Sequence, residues 1–238
     1  MLQCIFFDSA MSKHSVRNNT RVVSFDVDGT LVDGKFTTLV WEETIPRLYS
    51  HKENVDLETA KKYVWGEYSK IGQERLEWYD IRYWLKHFGL NHDWRELLER
   101  HRDEVHLYPE VPSVLRKLKD HYVLVIVTNG AKEFADIQTR GIRSYFTSVF
   151  SATTDFGVLK HSTHLYEKIC DKLGISPREL THVGDHRKFD YLVPRKLGVN
   201  AFLLDRTRKS SSPHIVKDLE DFCNQVDKKA SHGTASDA

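Results

Sequence analysis

The feature of this sequence that most restricts its fold is an unbroken run of apolar side chains, YVLVIV, at residues 122–127. Such a short, continuous run is typical of a strand that is buried on both faces of a parallel sheet. Four more short strands are predicted at residues 21–25, 148–151, 180–183 and 201–204. Helical patterns separate the strands after residue 108, and a closing helix is predicted at residues 215–226. Because strands that alternate with helices build doubly wound parallel sheets, we expect an α/β fold.

A long helical segment, residues 35–107, interrupts this alternation after the first predicted strand. Apolar residues recur at helical spacing within it, most clearly at residues 75–88, which are predicted to form one helix. Asp56 and Asp93 stand where they can cap further helices. All five tryptophans of the chain lie in this segment: Trp41, Trp65, Trp78, Trp84 and Trp94. They either pack a helical bundle or line a cleft, and we interpret the segment as an inserted α-helical cap domain.

The predicted organisation is therefore an α/β core domain, residues 21–34 and 108–227, with the cap inserted at residues 35–107. Residues 1–20 are polar and irregular, which is typical of an N-terminal extension without regular structure. Residues 228–238 are small and polar, and we expect them to form a flexible tail.

Composition limits the classes of partner. The chain has 35 basic and 34 acidic residues and a net charge of +1, which does not favour nucleic acid or an anionic membrane as a partner. No apolar run approaches the roughly 20 residues that a membrane-spanning helix requires. The three cysteines, Cys4, Cys170 and Cys223, are few and far apart, which indicates a reducing compartment such as the cytoplasm and no disulfide framework.

Polar residues follow three of the predicted strands. Asp26 and Asp28 come after the first strand, Thr128 and Asn129 after the run YVLVIV, and Asp185 after the strand at residues 180–183. In doubly wound sheets the ligand crevice lies at the carboxyl ends of the strands. Asp26 and Asp28 would share one face of an extended segment, where two carboxylates are costly to bury unless a metal or another cation pairs with them.

A second acidic pair and a lysine complete a candidate site. Asp185 and Asp190 would bring further carboxylates to the same edge of the sheet, and Mg²⁺ is the ion that such a group with a substrate phosphate commonly binds. Lys160 offers a positive charge and Thr128 a hydroxyl donor. Together these groups suit phosphoryl transfer, which requires in-line positioning and neutralisation of charge on the transferred group.

These residues resemble the four motifs of the haloacid dehalogenase-like (HAD) superfamily, and the resemblance covers about residues 21–207. In chain order the matching motifs are DVDGT beginning at Asp26, Thr128 followed by Asn129, Lys160, and Gly184-Asp185 followed by Asp190. The first motif is specific, whereas a threonine or a lysine alone carries little information. The ordered set of four implies a Rossmann-like core with a small α-helical cap that closes over the site and contacts the substrate.

The resemblance also implies a role for each carboxylate. Asp26 would be the nucleophile that forms an aspartyl-phosphate, and Asp28 would be a general acid that becomes a general base. Magnesium would be held by Asp26, by the backbone carbonyl of Asp28 and by Asp185. Asp190 would be a further ligand or an anchor behind the ligands.

The resemblance assigns Thr128, Asn129 and Lys160 to binding of the phosphoryl group. Two departures from the family pattern would narrow or recharge the rim of the site. His161 stands where a proline is common, and His186 stands where a small residue is common.

The predicted function is a magnesium-dependent phosphatase that acts on a small phosphorylated metabolite. A 2-haloacid dehalogenase is the first alternative, but such enzymes generally lack the second aspartate, here Asp28, because no alkoxide leaving group requires a proton. A phosphomutase shares the first half-reaction, and a non-catalytic binding protein could use the same fold.

Two further features are less informative. The pairs His161/His164 and His182/His186 have spacings that could bind zinc, but no cysteine pairs join them, and isolated pairs are more often structural. The basic segment at residues 206–209 is predicted to be solvated.

Overall fold

The computed structural model describes residues 22–207 and 213–232, with side chains described as far as residue 227. The strands in these ranges are β1 (Val22–Phe25), β2 (Val123–Thr128), β3 (Ser148–Ser151), β4 (Leu180–Gly184), β5 (Asn200–Leu204) and β6 (Ile215–Val216). They form one parallel sheet in the order β3-β2-β1-β4-β5-β6. The predicted doubly wound parallel sheet is confirmed, and the predicted extension at residues 1–20 lies outside the described residues.

Helices fill the connections between the strands. The segment after β1 contains α1 (Lys35–Thr38), α2 (Ile45–Glu53), α3 (Leu57–Ile71), α4 (Ile81–His87) and α5 (Trp94–Arg100). The later helices are α6 (Val111–Lys119), α7 (Lys132–Gln138), α8 (Ala152–Phe156), α9 (Thr163–Leu173), α10 (Val193–Leu197) and α11 (Leu219–His232). Two π-helical turns, Leu39–Thr44 and Arg187–Leu192, lead directly into α2 and α10. No helix in the described part of the chain has both the length and the apolar character needed to cross a membrane.

The central strand β1 determines where the polar strand ends meet. It pairs with β2 on one side and β4 on the other, so that Phe25 lies opposite both Ile126 and Val183. The chain adds β2 and β3 on one side of β1 and then crosses over to add β4, β5 and β6 on the other. This reversal of direction is the switch point at which doubly wound sheets bind ligands. The residues that follow β1, β2 and β4 therefore meet at one edge of the sheet.

Helices cover both faces of the sheet. Alternation along β1 sends Phe25 to one face and Ser24 to the other. On the first face α6 and α11 complete an apolar cluster, in which the Phe25 ring meets Phe222 and Phe146 edge-on at centroid distances of 5.9 and 6.1 Å. On the second face α9 and α10 pack against β1, β2 and β4. Burial on both faces explains the continuous apolar run of β2.

The helices α1 to α5 form a cap around their own apolar cluster. Trp84 is 1% exposed at the centre of this cluster, where it meets Tyr68 edge-on at 4.5 Å and stacks with Phe88 at 5.6 Å. Ala131 and Phe134, at the start of α7, join the same cluster from the core side. The predicted inserted helical cap is confirmed, and it packs on the core next to the carboxyl end of β2.

Two predicted helix caps are confirmed. The side chain of Asp56 accepts a hydrogen bond from the backbone N–H of Thr59 at 3.0 Å, and that of Asp93 accepts one from the N–H of Arg95 at 2.9 Å. Each aspartate thereby satisfies a donor that the first turn of its helix leaves without an intrahelical partner.

The prediction of one helix over residues 75–88 is wrong. A short 3-10 turn, Leu76–Tyr79, is followed by a break at Asp80, whose backbone is extended. The Asp80 side chain accepts a hydrogen bond from the N–H of Arg82 at 2.8 Å and so starts α4 as a new helix. Helical spacing of the apolar residues runs across the break, which is why the sequence pattern does not reveal it.

The C-terminal part also differs from its prediction. The expected helix at residues 215–226 begins only at Leu219, because Ile215 and Val216 pair with β5 as the edge strand β6. The helix α11 then continues to His232, inside the predicted tail, and residues 233–238 lie outside the described part of the chain.

Replacing Phe222 by alanine should destabilise the fold strongly. The Phe222 side chain is fully buried, and its ring contacts Phe25 and Phe202 at centroid distances of 5.9 and 5.2 Å. We expect the free energy of unfolding to fall by about 3–5 kcal/mol, measured by urea denaturation. Leu192→Ala, at a side chain that is 42% exposed, is the control and should change it by less than about 0.5 kcal/mol. Equal effects of the two substitutions would contradict the packing of α11 on the sheet.

Candidate active site

A tight turn follows Asp26 at the end of β1. The carbonyl oxygen of Val27 accepts hydrogen bonds from the N–H groups of residues 30–32. Gly29 has a φ of 70°, in the left-handed region that favours glycine. A Cβ at Gly29 would lie 2.3 Å from Oδ2 of Asp185, so glycine is also required for the ends of β1 and β4 to approach this closely.

Lys160 provides a buried positive charge at the centre of the site. Its Nζ lies 2.6 Å from Oδ1 of Asp26 and 2.6 Å from Oδ1 of Asp190, and it donates to the carbonyl of Val127 at 3.1 Å. Burial lowers the pKa of Lys160, but the carboxylates of Asp190 and Asp26 more than offset burial and raise the pKa above its ordinary value. Lys160 is therefore a permanent cation held between two carboxylates.

Asp190 is completely buried, and both of its oxygens have protein partners. Oδ1 faces Lys160 and lies 3.1 Å from Nε2 of His182, while Oδ2 accepts the backbone N–H of His186 at 2.9 Å. Burial would raise the pKa of Asp190, but Lys160 and His182 outweigh burial and hold it well below its usual range. A Cβ at Gly184 would lie 2.3 Å from Cγ of Asp190, so glycine is required where β4 passes this carboxylate.

His182 supports Asp190 from inside β4. Its Nδ1 lies 2.7 Å from Oγ of Ser24 on the neighbouring strand, and its ring meets Tyr166 edge-on at 5.5 Å. Burial lowers the pKa of His182, which favours the neutral ring. Because both ring nitrogens have protein partners, His182 does not pair with His186 as a zinc ligand, contrary to the alternative that their spacing allowed.

Three carboxylates crowd the base of the site. Asp26, Asp185 and Asp190 have oxygen atoms within 4.8 Å of one another. Burial, with repulsion from Asp190 and Asp185, raises the pKa of Asp26 to about 8 in spite of Lys160. Asp185 is the exposed member of the three, and partial desolvation in the cleft together with repulsion from Asp190 raises the pKa of its carboxyl. A divalent cation among these oxygens would favour the ionised carboxylates, and hard oxygen ligands suit Mg²⁺. The residues present therefore fit such an ion, with Asp190 better placed to support the other two carboxylates than to bind directly.

Asp28 has surroundings of a different kind. Its Oδ1 accepts hydrogen bonds from Oγ1 of Thr37 in α1 and from Nε2 of Gln138 in α7, both at 2.7 Å. Nε2 of Gln138 also donates a hydrogen bond to Oγ1 of Thr37 at 3.1 Å, so each of the three side chains is hydrogen-bonded to the other two. Burial raises the pKa of Asp28, although the two hydrogen bonds act in the opposite direction. A raised pKa favours the protonated carboxyl that a general acid requires.

Thr128 and Asn129 end β2 beside Lys160. The hydroxyl of Thr128 accepts the N–H of Gly130 at 3.0 Å, so its proton is available to a ligand. Oδ1 of Asn129 accepts the backbone N–H of Lys160 at 2.8 Å, and Nδ2 of Asn129 donates to the hydroxyl of Tyr79 at 3.5 Å. Asn129 thus positions Lys160 and contacts the cap.

A cleft of about 500 Å³ lies over these groups, between the core and the cap. The sequence-predicted site residues all line it: Asp26, Asp28, Thr128, Asn129, Lys160, Asp185 and Asp190. The tryptophans fill both of the roles that the sequence left open, and Trp41 and Trp78 also pack against the apolar cluster of the cap. Trp41, Trp65 and Trp78 line the cleft, whereas Trp84 packs the cap, and the guanidinium groups of Arg82 and Arg95 cover the ring of Trp94.

His186, one of the two departures from the family pattern, lies at the rim of the cleft. Its ring stacks on Phe189 at a centroid distance of 4.0 Å, and its Nδ1 accepts the N–H of Phe189 at 3.2 Å. Burial lowers the pKa of His186, which favours the uncharged ring. His186 therefore lies at the rim as a stacked ring whose uncharged form is favoured. The adjacent Lys188 forms an ion pair with Glu74 of the cap.

The prediction that residues 206–209 are solvated is wrong for Arg206. Its guanidinium donates to the carbonyl oxygens of Gly29 and Thr30 at 3.3 and 3.0 Å and pairs with Glu110 at 2.8 Å. Arg206 thus supports the turn after β1, a contact that forms only when the sheet is assembled. Residues 208 and 209 lie outside the described part of the chain.

Reasoning from the sequence missed four residues that hold the site together: Ser24, Thr37, Gln138 and His182. His182 did carry a signal, because a histidine between apolar residues of a buried strand requires polar partners. Thr37 and Gln138 occupy ordinary polar positions on helices, and no local pattern distinguishes them.

The chain is similar in sequence to two named proteins. It is 33% identical over 69 residues to the GMP/IMP nucleotidase YrfG of Escherichia coli (strain K12), a match that covers 29% of this chain and only 31% of that protein. It is 27% identical over 186 residues to the putative pyrophosphatase PpaX of Clostridium perfringens (strain 13 / Type A), which covers 75% of this chain and 80% of that protein.

Solved structures share the fold. A HAD phosphatase from Thermococcus onnurineus has a TM-score of 0.77 at 24% identity, over 86% of this chain and 97% of that chain. A 2-haloacid dehalogenase from Pseudomonas syringae pv. Tomato DC3000 has a TM-score of 0.66 at 21% identity, over 88% and 99%. The family model of the haloacid dehalogenase-like hydrolases matches residues 20–198. This chain therefore belongs to the haloacid dehalogenase-like hydrolases.

Proposed function

We propose that this protein is a magnesium-dependent phosphatase that hydrolyses a small phosphorylated substrate through an aspartyl-phosphate intermediate. The observation that carries the proposal is the presence of two carboxylates with different surroundings in one cleft. Asp26 faces the ammonium group of Lys160. Asp28 instead accepts hydrogen bonds from Thr37 and Gln138, and its pKa is raised. A nucleophile and a proton donor require such different surroundings. Among the proteins similar to this chain, a nucleotidase, a pyrophosphatase and a phosphatase carry names that agree with this assignment, whereas one solved structure is a 2-haloacid dehalogenase.

In the first half-reaction an oxygen of the Asp26 carboxylate attacks the phosphorus of the substrate. A bond forms between that oxygen and phosphorus, and the bond between phosphorus and the leaving oxygen breaks, with its electron pair passing to the leaving oxygen. Asp28 donates its proton to this oxygen, so the leaving group departs as a neutral alcohol. Lys160 and Thr128 bind the phosphoryl oxygens and neutralise part of their charge.

In the second half-reaction a water molecule attacks the phosphorus of the aspartyl-phosphate. Asp28, now a carboxylate, accepts a proton from this water, and the bond between phosphorus and the Asp26 oxygen breaks. Inorganic phosphate leaves, and the Asp26 carboxylate and the Asp28 carboxyl are restored. The net reaction consumes one water molecule and one phosphate ester and yields one alcohol and one phosphate.

Asp26, the backbone carbonyl of Asp28 and Asp185 would hold the magnesium ion, with Asp190 behind them. When bound, the ion would supply positive charge that ionises the nucleophile and offsets the charge of the phosphoryl group. The raised pKa of Asp26 supports this requirement, because burial and the neighbouring carboxylates favour the protonated form, whereas a bound cation would favour the ionised form.

The other functions considered from the sequence have less support. In a 2-haloacid dehalogenase the leaving group is a halide ion, which requires no proton. The hydrogen-bonded and partly buried carboxyl of Asp28 would then have no role as a proton donor. A phosphomutase would share the first half-reaction and pass the phosphoryl group to a second substrate instead of water. A non-catalytic binding protein would not require Asp26, Asp28, Lys160 and Asp185 together in one cleft.

The purified protein should hydrolyse para-nitrophenyl phosphate with added Mg²⁺ and lose this activity in excess EDTA. Release of nitrophenolate is the measurement, and restoration of activity by excess Mg²⁺ is the control for damage by the chelator. Chloride release from 2-chloropropionate should be absent. Failure to hydrolyse several phosphate esters with Mg²⁺, Mn²⁺ or Co²⁺ would eliminate the phosphatase assignment.

Asp26→Asn should lower kcat by at least about 1,000-fold, because an amide is a far weaker nucleophile than a carboxylate. The change in Tm should be small, since asparagine keeps an acceptor for Lys160 and removes one charge from three crowded acids. Asp103→Asn is the matched control, at a side chain that is 90% exposed, and it should keep wild-type turnover. More than a tenth of wild-type turnover in the Asp26 variant would mean that the nucleophile is another residue.

Asp28→Asn should separate the two half-reactions. Nitrophenolate is a good leaving group that requires little protonation, so the first step continues, whereas hydrolysis of the aspartyl-phosphate lacks its base. We expect a rapid burst of about one nitrophenolate per protein and then slow turnover, with the phosphorylated protein visible by intact mass spectrometry. Asp26→Asn should show no burst, and steady turnover of the Asp28 variant at the wild-type rate would refute the acid–base role.

A further inference from the structure

Aromatic rings line the cap side of the cleft. The rings that border it are those of Trp41, Trp65, Tyr68, Trp78 and Tyr79. Trp65 is 40% exposed, which is more than most of the other large aromatic side chains of the cap. The ring of Trp41 lies parallel to that of Phe134 in α7, at a centroid distance of 5.4 Å and an interplanar angle of 6°, so its orientation is fixed by the core. These flat faces are suited to stacking against another ring.

The charge around the cleft is predominantly negative. Among the described residues that line it, Lys160 is the only lysine or arginine, and its ammonium group already faces Asp26 and Asp190. Glu42 adds a further carboxylate from the cap. At the rim, Lys188 is ion-paired with Glu74. A second anionic group on a substrate would lose hydration in this cleft without gaining a counter-charge, which is strongly unfavourable.

Two polar side chains lie among the rings on the cap side. Glu42 can accept hydrogen bonds, and Gln73 can both donate and accept them. Such groups suit the hydroxyl and N–H groups on the edge of a polar ring system or of an attached sugar. They do not replace a cation as a partner for a carboxylate or a second phosphate.

We propose that the substrate is a phosphate monoester whose leaving group carries an uncharged aromatic ring system and no second anion. Nucleoside monophosphates and aryl phosphates belong to this class, whereas phosphorylated carboxylic acids, bisphosphates and pyrophosphate do not. The proposal rests on the phosphatase function proposed above and adds the chemistry of the leaving group. The scissile phosphate binds at Lys160 and Thr128, and the ring system stacks on the tryptophans of the cap.

A small quaternary ammonium group would also be attracted to aromatic faces and to Glu42. The size of the cleft favours the ring system, because about 500 Å³ lies within the range of pockets that enclose drug-sized ligands. The substrates of the test include one leaving group of each kind, an uncharged ring system and a quaternary ammonium group.

The test compares kcat/KM, with Mg²⁺ present, for four phosphate esters that differ in the leaving group. Inosine 5′-monophosphate has an uncharged ring system, glucose 6-phosphate has an uncharged leaving group without an aromatic ring, 2-phosphoglycolate has a second anion, and phosphocholine has a cation. We expect inosine 5′-monophosphate to exceed each of the others by at least about tenfold. A higher value for any of the other three would overturn the proposal, and so would equal values for all four.

A pair of variants in α3 links the preference to the cap. Trp65→Ala removes an exposed ring that lines the cleft, and it should lower the ratio of kcat/KM for inosine 5′-monophosphate to that for glucose 6-phosphate by about tenfold, or about 1.4 kcal/mol. Tyr63→Ala is the matched control, because it removes an exposed ring of the same helix that lies outside the cleft, and it should leave the ratio unchanged. An unchanged ratio in the Trp65 variant would overturn the stacking role.

A second variant tests the charge argument. Glu42→Arg places a cation on the cap side of the cleft, and it should raise kcat/KM for 2-phosphoglycolate by at least about fivefold relative to inosine 5′-monophosphate. No gain in a variant that keeps the wild-type Tm would count against the exclusion of a second anion. If the wild-type protein hydrolyses none of the four esters or para-nitrophenyl phosphate, the phosphatase function itself fails. Hydrolysis without the expected preference overturns only the assignment of the leaving group.

Discussion

The buried ammonium group of Lys160 is the interaction on which the candidate active site depends. It lies 2.6 Å from a carboxylate oxygen of Asp26, at the end of β1, and 2.6 Å from one of Asp190, beyond the end of β4. A buried carboxylate without such a partner costs several kcal/mol. The backbone of Lys160 is positioned in turn by Asn129, which follows β2 and whose Oδ1 accepts a hydrogen bond from the N–H of Lys160. Lys160 therefore connects residues at the carboxyl ends of three strands.

The same charge balance continues into the sheet. Ser24 and His182 are register partners on β1 and β4, and their side chains connect the two strands to Asp190 through hydrogen bonds. Because the pKa of His182 is lowered by burial, the ring adds donors and acceptors without adding charge. The negative charge of Asp190 is thus balanced by Lys160, whereas the orientation of the Asp190 carboxylate is set by hydrogen bonds to neutral partners. A polar pathway through an otherwise apolar layer is stable only because each member has a partner.

The cap completes the site in two ways. Thr37 of α1 and Gln138 of α7 jointly bind Asp28, so the position of the proposed proton donor depends on contact between the cap and the core. The cap also places an aromatic wall opposite the carboxylates, with Trp41 held in place by stacking on Phe134. The core therefore supplies the carboxylates and the lysine of the proposed phosphoryl transfer, and the cap supplies the aromatic surface on the other side of the cleft.

The sequence by itself determined the alternation of strands and helices, the inserted helical cap and the positions of polar residues at strand ends. Asp26, Thr128 and Asp185 could be found because each stands at the carboxyl end of a predicted strand, and their convergence follows from the way parallel sheets are wound. Tertiary structure alone decided which side chains complete the site. Gln138 bonds to Asp28 across 110 positions in the chain, and Arg206 reaches the turn after β1 from 176 positions beyond Thr30. The edge strand β6 and the placement of the tryptophans were decided in the same way. The physical reason is that hydrophobic periodicity and capping are local signals, whereas these contacts exist only once distant segments have packed together.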